Sequence, residues 1–200
     1  MKTILCATSV ALCLAACSST PSTQWADFGE RPMEDPRFLA AMTEAGTPGT
    51  EHARLASRQG RWAVDGRFWN EPGDEPTPMP ATAEVEVCLD GRYVVETFES
   101  DFMGMPFEGR LLQGYDNVRE RYWCIWIDSM STGQWTSFGR QTAPGVVEYE
   151  GVSYDVLTPA GRPTRMQTID DNDGTYTMRM YDTTPEGEEF LSMELTYSRP

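Results

Sequence analysis

The side chains that could do chemistry are few. Cys17 follows Leu14-Ala15-Ala16 at the end of MKTILCATSVALCLAACSST. That stretch carries one cation, Lys2, and an apolar run from Ile4 to Ala16, too short to span a bilayer comfortably as a mature helix. It reads as a secretion signal. Small residues just before a Cys suit cleavage at that bond and acylation of the freed thiol by chains such as palmitate. Each methylene so buried adds about 0.8 kcal/mol of membrane attachment. His52 is the only histidine, a poor basis for a zinc site or a Cys/Ser–His nucleophile. An axial haem ligand belongs on a barrel wall, whereas His52 falls on an expected helix. Its plainer reading is packing. Asp101 and Glu108 flank the run DFMGMPFEG and could work as an acid–base pair, although solvated turn acids are commoner. DDNDG at 170–174 invites calcium, yet an EF-hand loop with Gly174 at its sixth place would begin at Ile169, where an acid is required. No G-x-S-x-G is present, and no lysine follows Lys2 for a Schiff base. Neither a cofactor nor a metal is expected, and catalysis is the weakest reading.

The remaining candidates are apolar and aromatic. In DFMGMPFEG, Gly104 can take the positive φ of a tight turn, and Met103, Met105 and Phe107 then reach a barrel mouth, as adaptable contacts for apolar guests or as a plug. In WIDSM, alternation sets Trp126 and Asp128 on one face and Trp123, Ile125 and Ile127 on the other. Asp128 is then either a polar anchor in an apolar pocket or a cap for the Ser131-Thr132-Gly133 turn. Together with Trp62, Phe68, Trp135, Tyr149 and Met178, the residues Met105, Phe107, Trp126 and Asp128 form the expected ligand-binding set.

Such side chains need a hollow scaffold, and the pattern of turns supplies one. From Arg61 onward, turn signals such as Asp90-Gly91, Gly104, Asp116-Asn117 and Pro144-Gly145 recur every 12 to 16 residues. Between them lie β-branched and aromatic segments, RYVVETF, RYWCIWI, TYTMRMY and LSMELTY among them. About ten antiparallel strands result, and so many consecutive hairpins avoid open edges best by closing into an up-and-down all-β barrel. EPGDEPTPMP, with four prolines, reads as a loop between the first two strands. Before the barrel, Asp35-Pro36 starts one short helix that Gly46 ends, and Thr50 starts another, with His52, Leu55 and Ala56 inward and Gly60 as the stop. The expected organisation is leader 1–16, tether 17–34, helices 35–60 and barrel 61–200.

Without Lys2, 15 cations face 31 acids, a net charge of −16. That disfavours nucleic acid and anionic lipid headgroups as partners and leaves the acyl anchor as the only expected membrane contact. Cys88 and Cys124 are allowed a disulfide in an oxidising compartment, but they fall on strands separated by two others, so free thiols are expected.

The blocks DFMGMPFEG, GYDN at 114–117 and WIDSMSTG at 126–133 resemble the bacterial family known as domain of unknown function 1579. TPGTEHARLASRQGRW and EGEEFLSMELTYSR are similar to its opening and close, so the likeness runs from about residue 47 to the end. Ser129 stands where that family commonly has Asn. The resemblance implies a calycin-like β-barrel and no activity. Leu14-Ala15-Ala16-Cys17 likewise resembles the lipobox of bacterial lipoproteins, and Ser18 rather than Asp after the Cys implies the periplasmic face of the outer membrane.

The expected function is therefore a lipid-anchored cell-envelope barrel that binds a small, largely apolar molecule without transforming it. The alternatives are an adaptor whose barrel is filled by its own side chains and, last, a carboxylate enzyme. If Cys17 carries the anchor, Cys17→Ala moves the protein from the membrane to the soluble fraction and removes the acyl mass from its N-terminal peptide; a variant that stays membrane-bound contradicts the assignment.

Overall fold

The computed structural model describes residues 25–171 and 173–200, so Cys17 and the expected leader lie outside the described residues. The chain forms two compact units, divided after Glu44. In the first, the expected tether contains two short 3-10 turns, Trp25–Phe28 and Pro32–Glu34, followed by helix α1, Pro36–Ala45. Asp35 starts α1 by accepting the Arg37 amide at 2.8 Å, the bond that an N-cap carboxylate supplies. The Phe38 ring meets Phe28 edge-on.

The second unit is a closed barrel. Helix α2, Thr50–Ala56, leads into β1, Gly60–Phe68. A two-residue strand β2, Thr77–Pro78, is followed by β3 (Ala81–Cys88), β4 (Tyr93–Phe102), β5 (Met105–Asp116) and β6 (Arg121–Asp128). Then come β7 (Trp135–Ala143), β8 (Val146–Ser153), β9 (Arg162–Asp170), β10 (Tyr176–Thr183) and β11 (Glu189–Ser198). From β3 on, each strand pairs antiparallel with the next, and β1 pairs with β3 on one side and β11 on the other, closing ten strands. β2 merely extends the β3 side of the wall beside Arg67 and Phe68. Alternation drives this closure: Val85, Phe98, Leu111, Cys124, Val147, Met166, Leu195 and Tyr197 are all buried on one inner face.

The two ends differ. At the end where β1 begins, α2 folds across the opening. Its Leu55 and His52 are buried. His52 uses Nδ1 to accept the Gly49 amide at 3.1 Å and stands edge-on to Tyr115. The lone histidine thus serves helix capping and packing. Arg54 donates to Asp170 at 2.5 Å and to the Gly145 carbonyl at 2.8 Å, while Glu51 accepts the Tyr122 hydroxyl. Just past the helix, Arg58 is only 6% exposed and donates to Asp170 at 2.7 Å. The opposite end carries the β4–β5, β6–β7, β8–β9 and β10–β11 turns and the proline-rich 69–80 loop. That loop does more than connect. Met79 tucks its side chain into the barrel, buried, while its amide donates to the Gly66 carbonyl at 2.7 Å. Gly66 permits this because a methyl group there would overlap the Met79 carbonyl oxygen.

Cys88 and Cys124 are free thiols. Cys124 is buried beside the Ser137 hydroxyl, and burial pushes its thiol up to about 12, so it packs as an inert small apolar side chain.

Asp170 should carry much of the helix attachment. Burial alone would raise its carboxyl, but the charges and hydrogen bonds of Arg58 and Arg54 outweigh that and hold it below the ordinary value. A depressed acid stabilises the fold above its unfolded pKa, and the contribution is lost as pH falls through the folded one. Asp170→Asn leaves Arg58 buried without its counter-charge and should cost about 3 kcal/mol in urea denaturation at pH 7. Its deficit should narrow as pH falls below about 4, the unfolded value, and on through the lower value of the native carboxylate. An equal deficit at both pH values contradicts this role.

Candidate functional site

At the open end the barrel is hollow. A cavity of about 380 Å³ lies between the walls, within the range of small-molecule sites. Its sides come from the inward phases of β4–β6 (Phe98, Phe107, Leu111, Trp126) and of β9–β11 (Met166, Met178, Met180, Met193, Leu195), with Met79 arriving from the loop. Methionine contributes six of the lining residues once Met130 at the rim is included, and its unbranched, polarisable side chain adapts to varied apolar shapes.

One wall is aromatic. Phe107 stacks on Trp126 at 6.3 Å between centroids, and Phe98 meets Trp126 edge-on at 6.1 Å. The Trp126 ring can lie there only because residue 109 is glycine: a methyl at Gly109 would overlap the ring. Asp128 lines the cavity and caps the turn that follows it. Its Oδ2 accepts the Trp126 indole N–H at 2.9 Å, fixing the ring, while Oδ1 accepts the amides of Met130 and Ser131 at 2.9 and 3.0 Å, fixing the turn. Trp135 is held by its indole donating to the Thr164 hydroxyl at 2.8 Å.

The rim explains the greasy turn. Met103 and Gly104, at φ +56° and +83°, form the two-residue corner of the β4–β5 hairpin, the geometry of a type I′ turn. Phe102 and Phe107 on its flanks turn into the mouth, whereas Met103 is 77% exposed. Across the mouth the β8–β9 loop carries Val156, 95% exposed, and Leu157, also exposed. Arg162 pins that loop, donating to Asp182 at 2.5 and 2.7 Å and pairing with Asp155, whose carboxyl it holds down at about 2. A broad groove past Tyr154 and Val156 shares Trp126, Asp128, Met130, Trp135 and Met180 with the cavity, which therefore opens sideways as well.

The floor is polar and buried. Glu96, 5% exposed, lines the cavity from β4, between the inward residues Val94 and Phe98. Its Oε1 accepts the Tyr197 hydroxyl at 2.9 Å and its Oε2 the Tyr176 hydroxyl at 3.4 Å. The two tyrosine rings stack at 4.1 Å, and the Arg58 guanidinium lies 4.4 Å over Tyr176. Burial pushes the Glu96 carboxyl up to about 7, with Tyr197's hydrogen bond and Arg58's charge pulling the other way. Burial and the nearby Glu96 charge in turn raise both tyrosines, which remain neutral donors.

Of the residues expected at a ligand site, Phe107, Trp126, Asp128, Trp135 and Met178 line this cavity. Four do not. Trp62 lies in the layer beneath it, donating to the Arg58 carbonyl at 2.8 Å and packing edge-on to Tyr176. Tyr149 is buried against Tyr122 in the same layer, over Gly139. Phe68 packs behind Phe102. Met105, directly across from Phe102 and on the same phase as Phe107, stands beyond the cavity next to the corner, 51% exposed. Asp101 accepts the Gly104 amide and Glu108 pairs with Arg110 at 2.6 Å, so each has a structural use in solvent. Asp171 and Asp173 bond the Thr175 hydroxyl in the β9–β10 turn. Among the described residues, no group of three His, Cys, Asp or Glu could hold a metal ion, and no helix is long and apolar enough to cross a membrane. The sequence reading overlooked Glu96, although VVETF places it on the inward phase with Val94 and Phe98.

Glu96 should show in stability. With a folded value near 7 against about 4.5 when unfolded, the native state holds this proton more tightly between those limits, so stability falls as pH rises from about 4.5 to about 7, by roughly 3 kcal/mol at most. Glu96→Gln removes that loss. The variant's melting temperature should gain several degrees on the wild type between pH 5 and pH 8, and a gap that does not move with pH contradicts the assignment.

No curated protein matches the chain. The family described as Protein of unknown function (DUF1579) matches residues 47–199, from the approach to α2 to the end of the barrel. The chain belongs to that family.

Proposed function

We propose that this protein is a lipid-anchored, cell-envelope carrier that holds a small, largely apolar molecule in its barrel and does no chemistry on it, attached through Cys17 on the periplasmic face of the outer membrane. The observation that carries the binding reading is the cavity of about 380 Å³, walled by aromatic and methionine side chains and open to solvent at one end. A closed barrel of ten strands has room for a ligand inside, and here the half away from α2 leaves a cavity between the walls. The exposed apolar rim at Met103, Met105, Val156 and Leu157 gives such a guest a greasy path to the mouth. The two acids that line the hollow, Asp128 and Glu96, are each bonded to partners that hold them in place, as suits orientation of a guest. The envelope location rests on the leader and Cys17 in the sequence.

Nile red, a neutral dye, should brighten on binding the wild type. Met180→Trp, which fills the cavity from a half-buried wall position, should weaken that binding at least about tenfold, the loss of about 1.4 kcal/mol, while leaving the melting temperature nearly unchanged. Equal dye binding by both proteins overturns the cavity as the site. Native mass spectrometry of protein taken from its host membrane should show a retained small molecule, and its absence together with no dye binding favours the adaptor.

A further inference from the structure

Resting on that binding reading, we propose that the ligand is an apolar molecule tipped by a protonated amine, seated with its nitrogen against the Glu96 carboxylate, and that the cavity rejects carboxylate-tipped molecules such as fatty acids. The ionisable groups lining the hollow are Glu96, Asp128 and Tyr197. Two are acids and the third is a phenol that donates to Glu96. No cation lines it. Arg58, the nearest, stands behind the Tyr176 ring and is directed to Asp170. A carboxylate head brought to this floor would face Glu96 as a like charge with no arginine to receive it.

Glu96 also has acceptor capacity left over. A carboxylate offers about four lone-pair sites, and the two tyrosine hydroxyls occupy one on each oxygen. The groups around it are accounted for element by element: Tyr197 from β11, Tyr176 from β10, Arg58 after α2 with its partner Asp170 on β9, and the uncharged Val85 and Leu111 opposite it on β3 and β5. An ammonium would use the free lone pairs and supply the counter-charge that burial otherwise denies the carboxylate, in an apolar setting where such a bond is strong. Asp128 at the mouth and the overall excess of acids attract a cation toward the entrance.

Three probes of one chain length separate the head groups: decylamine, decanol and decanoate, each titrated into the full-length protein by displacement of Nile red, with Met180→Trp as the blank for surface adsorption. At pH 8 we expect decylamine to bind at least about tenfold tighter than decanoate, with decanol between them. Glu96→Gln should erase most of the amine's advantage while leaving decanol within about threefold. The wild type at pH 5.5 should lose the same advantage, because Glu96 is then protonated while the amine keeps the charge it carries at pH 8; this arm needs no variant. Decanoate binding as tightly as decylamine, or an amine preference untouched by both Glu96→Gln and acid, overturns the head-group assignment and leaves the carrier reading standing. Failure of all three probes and of the dye to bind the wild type overturns both.

Discussion

Six residue pairs, from Ala63–Ser198 to Phe68–Met193, join the first barrel strand to the last. Without that seam the sheet would be an open ribbon with two unpaired edges, and its inner face would be one wetted side instead of an interior. With it, side chains from strands distant in sequence become neighbours. Glu96 meets Tyr197, Arg58 meets Tyr176, and Met180 pairs with Met193 beside Phe68. The hollow, its buried acid and the helix that seals it all depend on that seam.

Once closed, the barrel divides into two regimes along its axis. The end under α2 is filled with aromatic rings, buried hydroxyls and an arginine pair sharing Asp170. The other end has flexible methionines, glycine seats for Trp126 and Met79, and loops that bear apolar tips. Glu96 lies where the regimes meet. It is buried enough to be driven toward neutrality, yet it also lines the cavity. A buried carboxyl with two phenolic donors and no cation of its own costs stability that an apolar residue would not. Retaining one at the bottom of a greasy cup is understandable if a guest supplies the missing charge.

Much of this was readable beforehand, because it depends on local rules. Glycine and asparagine turns mark the hairpins, alternation gives inside from outside, and Asp35-Pro36 with Gly46 brackets a helix. Depth along the barrel was not readable. Alternation told that Trp62 and Tyr149 face inward but not that strand tilt and register place them below the hollow, against Arg58 and Tyr122. Met105 shares the inward phase of Phe107, but the corner falls on Met103 and Gly104, so it stands at the strand end beyond the cavity. Met79 was hidden among prolines, where a loop gives no periodicity, and only Gly66 across the strand pair hints at its insertion. Glu96 was legible and overlooked, since an acid inside VVETF breaks the apolar phase that surrounds it.

A carrier needs a hollow that exists in solution and admits a guest. Methyl-selective NMR of 13C-methyl-methionine protein, titrated with decanol, reads this most directly. Met79, Met166, Met178, Met180 and Met193 should shift together and saturably, while Met33 and Met42, which belong to none of the cavity walls, stay still. Shifts confined to the rim methyls of Met103 and Met105, or none at all, would show a barrel that keeps its interior closed to small molecules.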